Sequence, residues 1–339
     1  MKESKVAVIC NSNNNDLVYL FEKKCKRLSG MATFYSNIKN SKRLSVSVSS
    51  FSKSPGLSFG VILDCFYSFF LLSSLLYRRV SVVIFDTAHI SNIPIAILLK
   101  LFGIKNIFTV HDWNPHEGSQ QKSVKIYNEF VDKYLADEYI VFSPANSNKK
   151  VYELTLSGYN HFGGEPSEDY YLFFGRIEPY KGLRHMKMIA KKLAELSGEE
   201  KIIIAGKGFD PALEELKSLE NVEIINRFIE DDELARLIAR SVSVLLPYDS
   251  ATQSGVVIHA YAYDKPVVAF DVGSISSYVV SGKNGFVVEH EDHGEFVKKM
   301  LLTKNNNKEL VEGVKDEFKN YDDNALVSQY SDLISGFYN

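Results

Sequence analysis

Arg176 and Lys181 stand five residues apart in YYLFFGRIEPYKG (170–182), an aromatic strand followed by a loop in which Pro179 stops helix formation between the two cations. Both emerge at the carboxyl end of that strand, the edge at which open parallel sheets bind ligands. Two cations aimed at one spot suit a diphosphate better than a monoanion. Ordinary loop charges paired with Glu178 are the alternative. A second anion-binding pattern follows in VLLPYDSATQSGVVIHAYAYDKPVVAFDV (244–272), which reads as strand, polar turn, helix and strand. Thr252, Gln253, Ser254 and Gly255 put short side chains and bare amides at a helix start, where orphan N–H groups and the helix dipole attract phosphate; the tight strand-to-helix turn that any doubly wound protein needs is the alternative. In the first half of the chain, TVHD (109–112) ends a strand on His111 and Asp112, with His116 and Glu117 in the loop just after. On pattern alone, that histidine caps a strand.

Such groups need a sheet edge to stand on, and the rhythm of the chain supplies two. The first half predicts strands at Lys5–Cys10, Val80–Asp86, Asn106–His111 and Glu138–Phe142 with helices between them. The second half repeats the alternation with strands near Tyr171, Lys201, Val222, Ser243, Pro266 and Phe286. The fold class is therefore α/β, with two Rossmann-like doubly wound domains. Their expected spans are 1–150 for the first and 151–310 for the second. A linker is expected between Ser147 and Ser167, where Asn, Ser, Gly and Pro accumulate.

At 339 residues and 45% hydrophobic, the chain can bury two cores of domain size. Cys10, Cys25 and Cys65 are an odd count without metal-ligand spacing, so neither a disulfide frame nor a zinc site is implied. A reducing cytoplasm fits, and MKESKVAVIC runs directly into a strand with no signal peptide before it. Residues 1–150 hold 19 Lys and Arg against 11 Asp and Glu, net +8; residues 151–339 hold 20 against 31, net −11. A basic first half suits contact with inner-leaflet lipid, although solvated lysines that keep the domain soluble explain it equally. VILDCFYSFFLLSSLLY (61–77), followed by Arg78 and Arg79, is too short and carries Asp64, so it predicts a core helix or an interfacial helix and not a membrane span.

Five segments in order, FFGRIEPYKGL (173–183), IIIAGKG (202–208), NRFIEDDELARLI (226–238), LLPYDSATQSGV (245–256) and AYAYDKPVVAFDVGSISSYVVSGKNGFVV (260–288), resemble the nucleotide-sugar-dependent glycosyltransferases of the GT-B fold, in particular the large retaining family 4. TVHDWNPHEG (109–118) is similar to the His-Asp strand end of the same family. The resemblance implies two domains facing a central cleft and a last helical stretch, 311–339, crossing back onto the first. It implies a hexosyltransferase that uses no cofactor and no metal. Its catalytic groups would be His111, Asp112, Arg176 and Lys181. Gly206, Lys207, Phe228, Ile229, Gln253, Ser254, Gly255, Val256 and His259 would bind the nucleotide sugar, and Asn13, Asn14, His116 and Glu117 the acceptor. The implied partners are a nucleotide sugar, of UDP or GDP, and a saccharide or lipid-linked saccharide in surface polysaccharide or glycolipid synthesis. The implied place is the cytoplasm, with contact at the inner face of the membrane; no nucleic acid is implied.

Two departures qualify the resemblance. Many members carry two glutamates separated by seven residues, and alignment on KPVV puts Ala251 and His259 in their places. His259 then reads either as a ribose contact or as a buried helix histidine. The glycine pair expected after the first strand is replaced by Asn11, Ser12, Asn13, Asn14 and Asn15, which removes the fingerprint of an NAD dehydrogenase while Asn still tolerates a tight loop. A catalytically inactive GT-B protein that binds a nucleotide or a partner transferase is the alternative function, ahead of a GT-B nucleotide-sugar epimerase.

Overall fold

The computed structural model of the chain describes residues 5–11, 15–36, 46–47, 59–110, 122–142, 147–165, 167–168, 170–198, 200–251 and 255–338. They fall into two compact units, Met1–Gly158 with Asp323–Asn339, and Tyr159–Asp322.

In the first unit the order is β1 (Val6–Cys10), α1 (Asn15–Leu28), β2 (Thr33–Ser36), β3 (Val46–Ser47), α2 (Phe59–Tyr77), β4 (Val82–Phe85), α3 (Asn92–Leu101), β5 (Lys105–Val110), α4 (Lys122–Tyr134), β6 (Glu138–Val141) and β7 (Lys150–Glu153). Strands such as VAVIC and VVIF are apolar throughout and buried on both faces, as a parallel sheet between two helix layers requires. The sheet runs β3-β2-β1-β4-β5-β6-β7, with every pairing parallel. One face packs on α2 and α3 through Leu71, Leu75, Ile95 and Leu99. The other packs on α1 and on the chain's last helix through Phe21, Leu28, Tyr330 and Ile334.

In the second unit follow β8 (Tyr170–Phe174), α5 (Leu183–Leu196), β9 (Lys201–Ala205), α6 (Leu213–Leu216), β10 (Val222–Ile225), α7 (Asp231–Arg240), β11 (Val244–Leu246), α8 (Gly255–Ala262), β12 (Val267–Phe270), β13 (Gly285–Val288), α9 (His293–Asn305) and α10 (Asn307–Phe318). The sheet order is β10-β9-β8-β11-β12-β13, again all parallel. Numbered within its own unit, each sheet therefore has the doubly wound order with a reversal beside its first strand, between β1 and β4 and between β8 and β11. That reversal opens a crevice at the carboxyl ends of the strands, where α/β proteins bind ligands.

Three expectations change. The division falls at Gly158 instead of 150, because β7 occupies part of the predicted linker and pairs with β6 as the sheet's edge. The final stretch is not one helix from 311. The α10 helix packs on α8 in the second unit, and only the last helix, α11 (Asp323–Gly336), belongs to the first. The α2 helix is not a core helix all round. It buries Ser68, Leu71, Leu72 and Leu75 and exposes Phe69, Phe70, Leu76 and Tyr77. Among the described residues no helix is long and apolar enough to cross a membrane.

Candidate functional site

The crevice of the second unit is built by backbone contact between neighbouring loops. The loop after β8 lies against the turn after β9, with the Gly175 amide donating to Ala205 O at 3.0 Å and the Ile177 amide to Lys207 O at 3.1 Å. Contact is this close because Gly206 has no side chain; a Cβ there would sit 1.8 Å from Gly175 O. Pro179–Lys181 then forms one 3₁₀ turn, which Gly182 closes in the left-handed conformation at φ 71°. Any side chain at Gly182 would strike Pro247 O, 1.7 Å from its Cβ position, so the start of α5 is held against the loop that follows β11.

Lys181 is consequently buried, at 7% exposure, at the amino end of α5. Its ammonium lies 5.4 Å from the centre of the Tyr248 ring and would be 3.0 Å from a Cβ on Gly175. The same Cβ would be 3.9 Å from Val256 in the first turn of α8, so the β8 loop, Lys181 and the α8 start meet at Gly175. Among the described residues no hydrogen bond or ion pair neutralises this ammonium, and the buried Tyr248 hydroxyl beside it has no hydrogen-bond partner. Burial, reinforced by the Arg176 charge, lowers the Lys181 pKa to about 8. Arg176 differs: its side chain is 66% exposed and pairs with Glu178 at 3.1 Å. Arg176 thus makes the loop ion pair with Glu178, and Lys181 makes none among the described residues.

Gly206 and Lys207 line the β9 turn, and Phe228 is exposed in the loop after β10. Ile229 is buried, and Arg227 near it is committed to Glu233 through two bonds of 2.7 and 2.6 Å. His259 is exposed on α8, which removes the buried-histidine reading, and its ring meets Tyr159 edge-on at 5.3 Å. The Tyr159 hydroxyl would be 3.5 Å from a Cβ on Gly255, so Tyr159, Gly255 and His259 form one corner of the site. His111, Asp112, His116, Glu117, Asn13, Asn14, Gln253 and Ser254 lie outside the described residues.

Sequence reasoning did not single out the polar network at the reversal of the first unit. The Asn11 amide donates to Thr87 Oγ1 at 3.1 Å, Thr87 Oγ1 donates to Asn11 O at 2.8 Å, and Asn11 Nδ2 donates to Asn92 Oδ1 at 2.7 Å. Fully buried Asn92 returns a bond to Thr87 O at 2.7 Å. A buried asparagine at the start of an otherwise apolar helix was the available signal.

Residues 168–306 match the family model described as glycosyl transferases group 1. The second unit carries a group 1 glycosyl transferase domain. The sulfoquinovosyl transferase of Arabidopsis thaliana is 28% identical over 174 residues, 49% of this chain and 33% of that protein, so the match spans only a third of that relative's length. Among solved structures, sucrose-phosphate synthase from Thermosynechococcus elongatus aligns at TM-score 0.68 and 14% identity over 99% of both chains. Anabaena HepE, solved with UDP and glucose, aligns at TM-score 0.68 and 15% identity over 98% of this chain and 99% of its own. TarM of S. aureus, solved with UDP, aligns at TM-score 0.63 and 18% identity over 81% of this chain and 59% of its own. The two parallel α/β units are those of the GT-B fold, and the crevice around Lys181 lies inside the group 1 domain.

Proposed function

We propose that the protein transfers a hexose from a nucleoside diphosphate sugar to a saccharide acceptor, with side chains and backbone amides, in place of a metal ion, meeting the charge that develops on the leaving diphosphate. One observation carries the reading: Lys181, a buried ammonium that makes no hydrogen bond or ion pair among the described residues, sits at the sheet reversal of the group 1 domain. A fixed cation in a water-poor crevice stabilises a growing phosphate charge without reorganising during the reaction. Arg176 at the crevice mouth and the amides at the start of α8 add to the same potential. The exposed Phe228 ring and the backbone around Ile229 border the nucleobase, while His259 and Tyr159 flank the ribose. His111 and Asp112 are assigned to the donor sugar by the TVHD motif, and Asn13, Asn14, His116 and Glu117 to the acceptor. UDP is the favoured nucleotide, supported by its presence in the HepE and TarM structures.

The acceptor in this reading is lipid-linked and belongs to surface polysaccharide or glycolipid synthesis at the inner face of the cell membrane, with a retaining outcome. Support for membrane contact comes from adjacent helices of the basic first unit, where Phe70 at 74% and Tyr77 at 87% exposure on α2 accompany exposed Leu101 and Phe102 on and after α3, with Arg78 and Arg79 adjoining. A second reading, nucleotide binding without turnover, is favoured by Ala251, buried where the family carries a glutamate. Calorimetry with UDP and GDP, followed by turnover assays on a panel of nucleotide sugars, separates the two. Transfer lost on Lys181→Met supports the transferase. Tight UDP binding without turnover of any donor supports the second reading, and no nucleotide binding at all overturns both.

A further inference from the structure

Two of the eight histidines in the chain converge in the second unit on a single carboxylate, and a third stands behind one of them. Asp249 stands three residues beyond β11, its amide held by Tyr180 O at 2.8 Å. Its Oδ1 is approached by His185 Nε2 at 2.8 Å from the first turn of α5, by His290 Nε2 at 3.2 Å from the loop after β13, and by Arg184 Nη2 at 2.7 Å. Three donors crowd an oxygen that has two lone pairs. The ligand atoms of His185, Asp249 and His290 all lie within 4.8 Å of one another. His185 Nδ1 is 2.9 Å from His293 Nε2, and Phe270 packs edge-on against the His185, His290 and His293 rings.

This is the geometry of a metal site with its outer partner in place. In a tetrahedral zinc site with bonds of 2.0–2.1 Å, ligand atoms stand roughly 3.3 Å apart. The Asp249–His290 separation is already within about 0.1 Å of that, and the Asp249–His185 pair needs to open by about half an ångström. A histidine that ligates through Nε2 is ordinarily held by a hydrogen bond from Nδ1, the position His293 occupies beside His185. Glu291, between His290 and His293, takes the left-handed conformation at φ 69°, a backbone cost for a non-glycine residue that brings both rings to one spot. His290 is partly exposed, so an ion has a path in, while Arg184 is largely exposed and can release Oδ1 while keeping its 3.2 Å bond from Nε to Oδ2.

We propose that His185, Asp249 and His290 bind a divalent transition-metal ion of the zinc class, with His293 orienting His185 and a fourth position open to water. Bound there, the ion ties together the α5 start, the loop after β11 and the loop after β13. The first two of these also hold Lys181. Its role is to set the shape of the crevice, and the inference stands whether or not the protein transfers a sugar.

The test is a titration of the untagged, chelator-treated full chain with Co²⁺, followed by displacement with Zn²⁺. One Co²⁺ per chain with the intense visible absorption of a low-coordinate site is expected, and His290→Ala and Asp249→Asn each weaken binding by about tenfold or more. In the unmutated chain, Zn²⁺ is expected to protect His290 from diethyl pyrocarbonate, read by peptide mass spectrometry. That measurement does not depend on a variant folding. No saturable uptake, uptake indifferent to both substitutions, or equal His290 modification with and without Zn²⁺ overturns the site.

Discussion

The two units each bury a lysine near the reversal of their sheet, and they treat it in opposite ways. In the first unit Lys24, 5% exposed, is held by both oxygens of Asp86 at 2.7 and 2.9 Å and by the Tyr330 hydroxyl at 2.9 Å. Burial by itself would lower its pKa, but Asp86 and Tyr330 outweigh burial and raise it above the ordinary range. In the second unit Lys181 is equally buried and makes no ion pair or hydrogen bond with a carboxylate among the described residues; burial and the Arg176 charge outweigh the more distant Glu178 and lower its pKa to about 8. A buried charge that is neutralised within the fold is a structural clamp, here tying α1, the end of β4 and α11 together. A buried charge left without an ion-pair partner costs stability, and in the proposed function a bound diphosphate offsets that cost.

Removing each lysine in turn separates the two cases. Lys24→Met leaves Asp86 buried without its cation and is expected to cost about 3–5 kcal/mol in denaturant unfolding. Lys181→Met removes an uncompensated charge and is expected to leave stability equal or higher. Equal losses in the two variants would mean that Lys181 is structural after all. Lys181→Ala is expected to lose about 2–4 kcal/mol of transition-state stabilisation, measured as kcat/KM with a nucleotide sugar. Wild-type turnover would remove it from the site.

Because the folded pKa of Lys181 lies below its unfolded value, the unfolded chain binds more protons between about pH 8 and 10.5, and the penalty of burying this charge is relieved as pH rises through that window. A bound diphosphate stabilises the charged form, so UDP affinity is expected to fall above about pH 8 by up to tenfold per pH unit, and to lose that slope in Lys181→Met. An identical slope in the variant would assign the titration elsewhere. Arg176→Ala is expected to cost least, about 1 kcal/mol in kcat/KM, because Arg176 is exposed and already shared with Glu178. A loss as large as that of Lys181 would place Arg176 against the phosphate in the bound state.

Much of this was open to inspection in the primary structure. The continuous apolar strands, the helical periods between them and the loop residues Gly175, Pro179, Gly182 and Gly206 prescribe two doubly wound sheets, and RIEPYK marks the cations. Other features were not, because they depend on neighbours remote in the chain. The sheet strand β7 is weakly apolar, KVYE, and exists because β6 offers it an edge. The boundary of α11 follows from its packing on the first unit and not from a break in its helical pattern. Asp249 reads as one more turn residue, and HEDH (290–293) as a polar loop, until the fold sets His185 and His290 beside a carboxylate 64 and 41 residues away.

Residue type and order were enough to specify two parallel α/β units, since local backbone preference and apolar period act over a few residues. Which of two cations five positions apart became the buried one was decided only by tertiary packing. The left-handed turn at Gly182 presses one end of that loop against Pro247 and leaves the other in water. Desolvation is a property of the surroundings, and three strands and a helix had to assemble before Lys181 had any.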